Sequence, residues 1–134
     1  MHSYIIDACI QIVPITLDKH PYLWVDEAIA VIQQSGIKYE VTPFATILEG
    51  TYDEVMAVIH AVNEFLYAKG CAEWIANLQV QVRSAGDVTG EEKTGKFKLN
   101  LNLAALSSLV PIPKVQPYVL IKPELKKYLT SQAY

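Results

Sequence analysis

The chain has 134 residues, a length that suits one domain of about 100–200 residues. Lys and Arg total 11 while Asp and Glu total 14, so the formal net charge is −3, and Arg83 is the only arginine. This balance excludes the basic, arginine-rich surface that is typical of proteins that bind nucleic acid or anionic membranes.

The first predicted element is a β-strand over residues 4–14, in which apolar and mixed positions alternate. Pro14 ends the strand because proline has no backbone N–H to donate to a sheet. One face of the strand holds Ile6, Ala8, Ile10 and Ile12, and the other holds Asp7, Cys9, Gln11 and Val13. The strand therefore has one apolar face and one mixed face.

A helix and two extended segments are predicted next. Apolar residues at spacings of three and four indicate a helix over residues 24–35, which Pro21 opens and Gly36 ends. The extended segments cover residues 38–42 and 44–49. Proline between them indicates either a bulge or two strands joined by a tight turn.

The second predicted helix begins with a capping box. Thr51 can cap the helix, and Glu54 completes the box three residues later. An apolar stripe at helical spacing follows it along the chain. Gly70 then ends the helix.

The last predicted strand covers residues 74–83 and completes the order β-α-β-β-α-β. This is the ferredoxin-like α+β arrangement, a four-stranded antiparallel sheet with two helices on one face. We expect the first and last strands to lie side by side in the centre of the sheet. The face that the helices leave open then carries Asp7, Gln11, Asn77, Gln79 and Gln81.

The remainder of the chain differs in character from the predicted domain of residues 1–97. Residues 84–97 are polar and have room for a brief helix. Residues 98–134 form a C-terminal arm that is too apolar for a disordered tail and too often interrupted by proline for a second domain. We predict that the arm is ordered and packs mainly on a neighbouring subunit.

Cysteine usage and the apolar runs bear on location and assembly. Cys9 and Cys71 lie in apolar stretches, which predicts free thiols in a reducing compartment. The N-terminus lacks the basic region of a signal peptide, and no apolar run reaches the roughly 18 residues of a membrane helix. We therefore expect a cytoplasmic protein. Charged residues are only 19% of the chain, which favours self-association into a dimer or tetramer.

The sequence lacks the common patterns of catalysis. It has no glycine-rich phosphate loop, no nucleophile elbow and no paired cysteine motif. His2, His20 and His60 are scattered along the chain. We therefore expect no catalytic residue, no metal site and no cofactor, and a protein that is not an enzyme.

The open face predicted for the sheet carries amides where a solvated face usually carries Lys and Glu. Amides both donate and accept hydrogen bonds, which suits a wet interface between sheets or the recognition of a neutral heterocycle. Gln11 and Asn77 are candidates for such contacts. Thr46 and Glu49 could add a hydroxyl and a carboxylate, but strand alternation places them on opposite faces unless a bulge near Pro43 shifts the register.

Several segments of the sequence carry a family pattern. They are residues 11–14 (QIVP), 25–29 (VDEAI), 35–41 (SGIKYEV), 43–50 (PFATILEG), 52–56 (YDEVM) and 91–93 (EEK). Together they resemble the thiamine-binding protein family of small YkoF-like domains. The resemblance covers residues 4–97, and residues 35–50 are its most specific part.

The resemblance implies a ferredoxin-like subunit that assembles through its sheets into dimers and tetramers. It also implies binding of thiamine or its hydroxymethylpyrimidine moiety. The matching positions are Gln11, Tyr39, Thr46 and Glu49, and with Asn77 they are the candidate ligand-binding residues. Three functions stay open: a non-catalytic binding protein that acts as a carrier, buffer or sensor, an oligomeric structural module without a ligand, and an enzyme of unknown type.

Overall fold

A computed structural model describes residues 3–98 of the chain. In chain order its elements are β1 (Ile5–Pro14), α1 (Pro21–Ser35), β2 (Lys38–Val41), β3 (Thr46–Thr51), α2 (Tyr52–Ala68), β4 (Trp74–Gln81) and α3 (Gly90–Lys98). The strands form one antiparallel sheet in the order β2-β3-β1-β4. The predicted α+β fold is confirmed, with a third helix added. All but the first residue of the predicted arm, residues 98–134, lies outside the described residues, so its packing stays a prediction.

The predicted strand neighbours are correct, but the predicted centre of the sheet is wrong. β1 pairs with β4, from Asp7↔Gln81 to Pro14↔Trp74. β1 also pairs with β3, so β1 and β3 are central and β4 forms an edge. The crossover through α1 leaves one strand position between β1 and β2, and β3 fills it antiparallel to both. Only the other side of β1 is then left for β4.

Helix α1 begins and ends where the sequence indicates. Pro21 occupies its first turn, where the missing N–H of proline costs no hydrogen bond. The His20 side chain precedes it and accepts a hydrogen bond from the Tyr22 N–H at 3.2 Å. Gly36 follows the helix with φ of 76°, a left-handed conformation that glycine adopts without a Cβ clash.

Helix α2 has the predicted capping box. Thr51 Oγ1 accepts a hydrogen bond from the Glu54 N–H at 3.3 Å, and Glu54 Oε2 accepts one from the Thr51 N–H at 2.8 Å. The helix ends at Ala68, just before Gly70, which has a φ of 83°. Neither α2 nor any other helix within residues 3–98 is long and apolar enough to cross a membrane.

The hydrophobic core lies between one face of the sheet and the helices α1 and α2. The apolar face of β1 supplies Ile6, Ala8, Ile10 and Ile12, and the helices supply Trp24, Ala28, Ile32, Val55, Val58, Ile59, Val62 and Leu66. Fully burying one large apolar side chain contributes about 1.5–3 kcal/mol, so this face is strongly specified. A slip of one residue in the pairing of β1 would turn these apolar side chains to the opposite face and expose them. The register therefore also fixes which side chains the opposite face carries.

The sequence predicts that the sheet face opposite α1 and α2 is open. In the structure this face is partly covered. Helix α3 covers one end of it, where the Gly90 N–H donates to Glu49 Oε1 and Lys93 forms an ion pair with Asp7. The sequence indicates only room for a brief helix within residues 84–97. It does not indicate where that helix packs, because the contacts of Gly90 with Glu49 and of Lys93 with Asp7 join residues more than 40 positions apart.

Candidate ligand-binding site

The open sheet face, opposite α1 and α2, carries two carboxylates beside α3. Asp7 of β1 and Glu49 of β3 are directly opposed in the strand register. Opposed side chains have Cβ atoms about 4.5–5.5 Å apart, and two like charges at this distance repel each other. Lys93 pairs with Asp7 and Lys38 pairs with Glu49, which compensates both charges. These four residues are called the Asp7–Glu49 cluster below.

Each of the two carboxylate oxygens of Glu49 has a partner. Its side chain is only 9% exposed, Oε2 faces the Lys38 ammonium, and Oε1 accepts the Gly90 N–H at the start of α3. Burial raises the pKa of the Glu49 carboxyl, but the hydrogen bonds from Lys38 and Gly90 outweigh it, so the pKa lies below its ordinary value. The same hydrogen bond raises the pKa of Lys38. Both groups are therefore charged at neutral pH.

Asp7 differs from Glu49 because one of its oxygens has no partner. The residue is 8% exposed, and Oδ2 forms the ion pair with Lys93. Oδ1 is buried and accepts no hydrogen bond. Leaving a buried acceptor unpaired costs about 1–3 kcal/mol. A ligand N–H would recover that free energy only where a neighbouring side chain moves and uncovers Oδ1, since the atom is closed to solvent.

Two neighbouring cavities open beside the Asp7–Glu49 cluster. The larger has a volume of about 450 Å³ and is lined by all four members of the cluster. The second has a volume of about 390 Å³ and lies on the β4 side, where Cys9, Gln79 and Gln81 join Asp7 and Lys93 in lining it. Both volumes fall within the roughly 300–1,000 Å³ of small-molecule sites.

The predicted residues Gln11 and Asn77 lie on the same face as the cluster but at a distance from it. They are register partners, and the Asn77 side-chain amide donates to Gln11 Oε1 at 3.1 Å. Gln11 is four residues from Asp7 along β1, which is about 13 Å at the usual rise of a strand. The register pair Cys9 and Gln79 lies between the Gln11–Asn77 pair and Asp7, and Cys9 Sγ is 3.7 Å from Gln79 Oε1.

The other two predicted residues, Tyr39 and Thr46, lie on the helix side of the sheet. Thr46 is opposed to Ile10 in the core and is buried. Tyr39 is opposed to Leu48, also a core residue, and is partly exposed on the edge strand β2. The register therefore places Thr46 and Glu49 on opposite faces of the sheet, as strand alternation predicts. Glu49, Gln11 and Asn77 therefore share one face of the sheet, and the register positions of Tyr39 and Thr46 belong to the other. Tyr39, on the edge strand, nevertheless lines the larger cavity together with Glu49.

Sequence reasoning left Asp7 and Lys93 out of the site. A signal for Asp7 was available, since it is the single acid in an otherwise apolar and amide-bearing strand. Lys93 lies in the family segment of residues 91–93, but nothing local indicates that its ammonium reaches Asp7, 86 positions earlier in the chain. Its second contact is a hydrogen bond of 2.8 Å to Gln81 Oε1.

Comparison with known proteins gives one family. The model of the family described as thiamine-binding protein matches residues 8–98. A UPF0045 protein of Clostridium perfringens is 32% identical over 95 residues, which are 69% of this chain and 99% of that protein.

Two solved structures are also similar to the chain. A domain of unknown function, DUF77, from Bacillus cereus is 34% identical with a TM-score of 0.67, covering 71% of this chain and 91% of that one. A protein of Thermotoga maritima, described as a candidate for thiamine biosynthesis or salvage, is 29% identical with a TM-score of 0.64. That match covers 69% of this chain and 98% of the Thermotoga protein.

Proposed function

This chain belongs to the thiamine-binding protein family, and we propose that it binds thiamine or its hydroxymethylpyrimidine moiety without transforming it. It would then act as a carrier, buffer or sensor. The observation that carries the proposal is the buried Asp7 carboxylate, which faces two cavities and has one oxygen without a partner. The Thermotoga relative, by its description, is linked to the same class of ligand.

The chemistry of an aminopyrimidine suits the Asp7–Glu49 cluster. The exocyclic amine can donate a hydrogen bond to the Asp7 carboxylate once Oδ1 is uncovered, and the ring nitrogens can accept hydrogen bonds from the ammonium groups of Lys38 and Lys93. A hydrogen bond to a charged group contributes about 1.5–3 kcal/mol, more than one between neutral groups. The proposed ring position is therefore against Asp7 and Glu49.

The amide pair Gln11 of β1 and Asn77 of β4 would contact only a part of the ligand that lies away from the ring. Gln11 and Asn77 satisfy each other through one hydrogen bond, and their remaining donors and acceptors are available to a ligand group that extends about 13 Å from Asp7. Thr46 lies on the helix side of the sheet and has no place in this proposal, whereas Tyr39 lines the larger cavity beside Glu49.

Isothermal titration calorimetry of the full chain with thiamine and with hydroxymethylpyrimidine tests the proposal. Asp7→Asn removes the charge beside the unpaired oxygen, and Glu49→Gln removes a charge while keeping the shape of the side chain. We expect each variant to weaken binding about tenfold to hundredfold, the equivalent of a hydrogen bond to a charged group. Glu64→Gln makes the same change on the exposed side of α2 and should bind like the wild type.

Two results of the titration would count against the proposal. If the wild type binds neither ligand, the proposed function is wrong. If it binds thiamine and neither Asp7→Asn nor Glu49→Gln weakens the binding, the ligand does not lie at the Asp7–Glu49 cluster.

An assembly module without a ligand is the second candidate function. Val13 and Ile75 are register partners at the end of the open sheet face away from α3, and they are 37% and 48% exposed. An exposed apolar pair on a flat sheet face suits contact with a second copy of the chain. We include self-association into a dimer or tetramer, and a cytoplasmic location that suits two free thiols, in the proposal.

A further inference from the structure

We propose that Lys93 sets the charge preference of this site, so that the site favours an uncharged pyrimidine over a ligand with a permanent positive charge. The inference rests on the proposed function. It starts from the charges of the Asp7–Glu49 cluster, where two ammonium groups balance two carboxylates. Of the other charged residues that line the larger cavity, Glu91 is paired with Lys98 and Glu40 is exposed on β2.

Lys93 occupies the place that a ligand cation would take. Its ammonium is held by two acceptors, Asp7 Oδ2 and Gln81 Oε1, the second at 2.8 Å. The residue also lines both cavities, as Asp7 does. A cationic ligand that paired with Asp7 Oδ2 would have to displace this ammonium, whereas a neutral ring does not compete with it for the carboxylate.

Lys38 is a weaker candidate for the same role. Its side chain is 71% exposed on the edge strand β2, against 43% for Lys93, so water screens its charge more strongly. Its partner Glu49 is also held by the Gly90 N–H and therefore keeps a donor when Lys38 is absent. Asp7 is buried and has no such second donor on either oxygen. Removing Lys93 therefore leaves a buried carboxylate that a cation can neutralise and a neutral ligand cannot.

The experiment compares two ligands on three proteins. Lys93→Met keeps most of the length of the side chain and removes its charge, and Lys96→Met makes the same change at an exposed position of the same helix. Thiamine carries a permanent thiazolium charge, whereas hydroxymethylpyrimidine is uncharged at neutral pH. Calorimetry gives the ratio of their dissociation constants for the wild type and both variants.

We expect the preference for thiamine over hydroxymethylpyrimidine to rise about tenfold or more in Lys93→Met and to stay unchanged in Lys96→Met. An unchanged ratio in Lys93→Met, with both ligands still bound, would overturn this inference and leave the proposed function intact. Failure of both ligands to bind the wild type would overturn the proposed function and this inference together.

A measurement on the wild type alone keeps the inference testable if Lys93→Met does not fold. A compensated cluster attracts a cation weakly, so thiamine affinity should change less than about twofold between about 0.05 and 0.5 M salt. A site with uncompensated negative charge would lose affinity severalfold over that range. A steep salt dependence would therefore contradict the role assigned to Lys93.

Discussion

Glu49 carries the clearest titration effect of the site. Burial raises the pKa of its carboxyl, and the hydrogen bonds from Lys38 and Gly90 lower it by more, so the folded pKa is below the ordinary value of 4.5. A group of this kind stabilises the protein above its unfolded pKa, and the contribution is lost as the pH falls through the folded pKa. We therefore expect the free energy of unfolding to decrease in acid more steeply for the wild type than for Glu49→Gln.

Urea unfolding between about pH 3 and pH 7 measures this difference. Glu49→Gln has no group to titrate at this position, so its curve should be the flatter one below about pH 4.5. Glu64→Gln, exposed on α2, should keep the slope of the wild type. Parallel curves for Glu49→Gln and the wild type would contradict the assigned role of the carboxyl.

The residues of the site were only partly predictable from the sequence. Asn77 was found through strand alternation, which is a local property of the chain, and Gln11 and Glu49 were found both from the strand pattern and through the family pattern. Asp7 is recognised as a site residue because it is opposed to Glu49, and this pairing depends on the register of two strands about 40 positions apart. Lys93 depends in addition on where α3 packs, which no local pattern records.

The capping box of α2 is the feature at the scale of an element that is easiest to test. Thr51 Oγ1 satisfies the Glu54 N–H, one of the donors that a helix start leaves without a partner. Thr51→Ala should lower the free energy of unfolding by about 1 kcal/mol, the usual effect of losing a capping hydroxyl. Thr51→Ser keeps the hydroxyl and should retain most of the stability. Equal losses in both variants would show that the methyl group of Thr51, and not its hydroxyl, is responsible.

The elements themselves were predictable where their signals are local. Pro21, Gly36 and the Thr51 capping box act within one turn of a helix, and the structure has them as expected. The edge position of β4 and the packing of α3 were not predictable in this way. The position of β4 depends on which strand fills the space beside β1, and the packing of α3 depends on the ion pair between Lys93 and Asp7. Both therefore follow from the assembled fold.

At the scale of the whole molecule, the open sheet face has two ends of different character. The end beside α3 is charged and contains the cavities, whereas Val13 and Ile75 at the other end are apolar and exposed. A standard protein interface buries about 1,600 Å² in total, an area that a pair of small sheet faces can supply. We therefore expect the full chain, whose mass is 15.0 kDa, to exist as a dimer or tetramer at micromolar concentration.

Light scattering on the wild type and on Ile75→Lys tests whether this apolar end is the contact. A lysine there would place a charge in the centre of the proposed interface, where burying it without a partner is costly, so the mass should shift toward the monomer. Leu23→Lys introduces the same side chain at an exposed position of α1, on the other side of the sheet, and should leave the mass unchanged. A monomeric wild type would exclude self-association, and an Ile75→Lys oligomer of unchanged mass would place the interface elsewhere. Because the cavities lie at the opposite end of the face, Ile75→Lys should also bind thiamine with the affinity of the wild type.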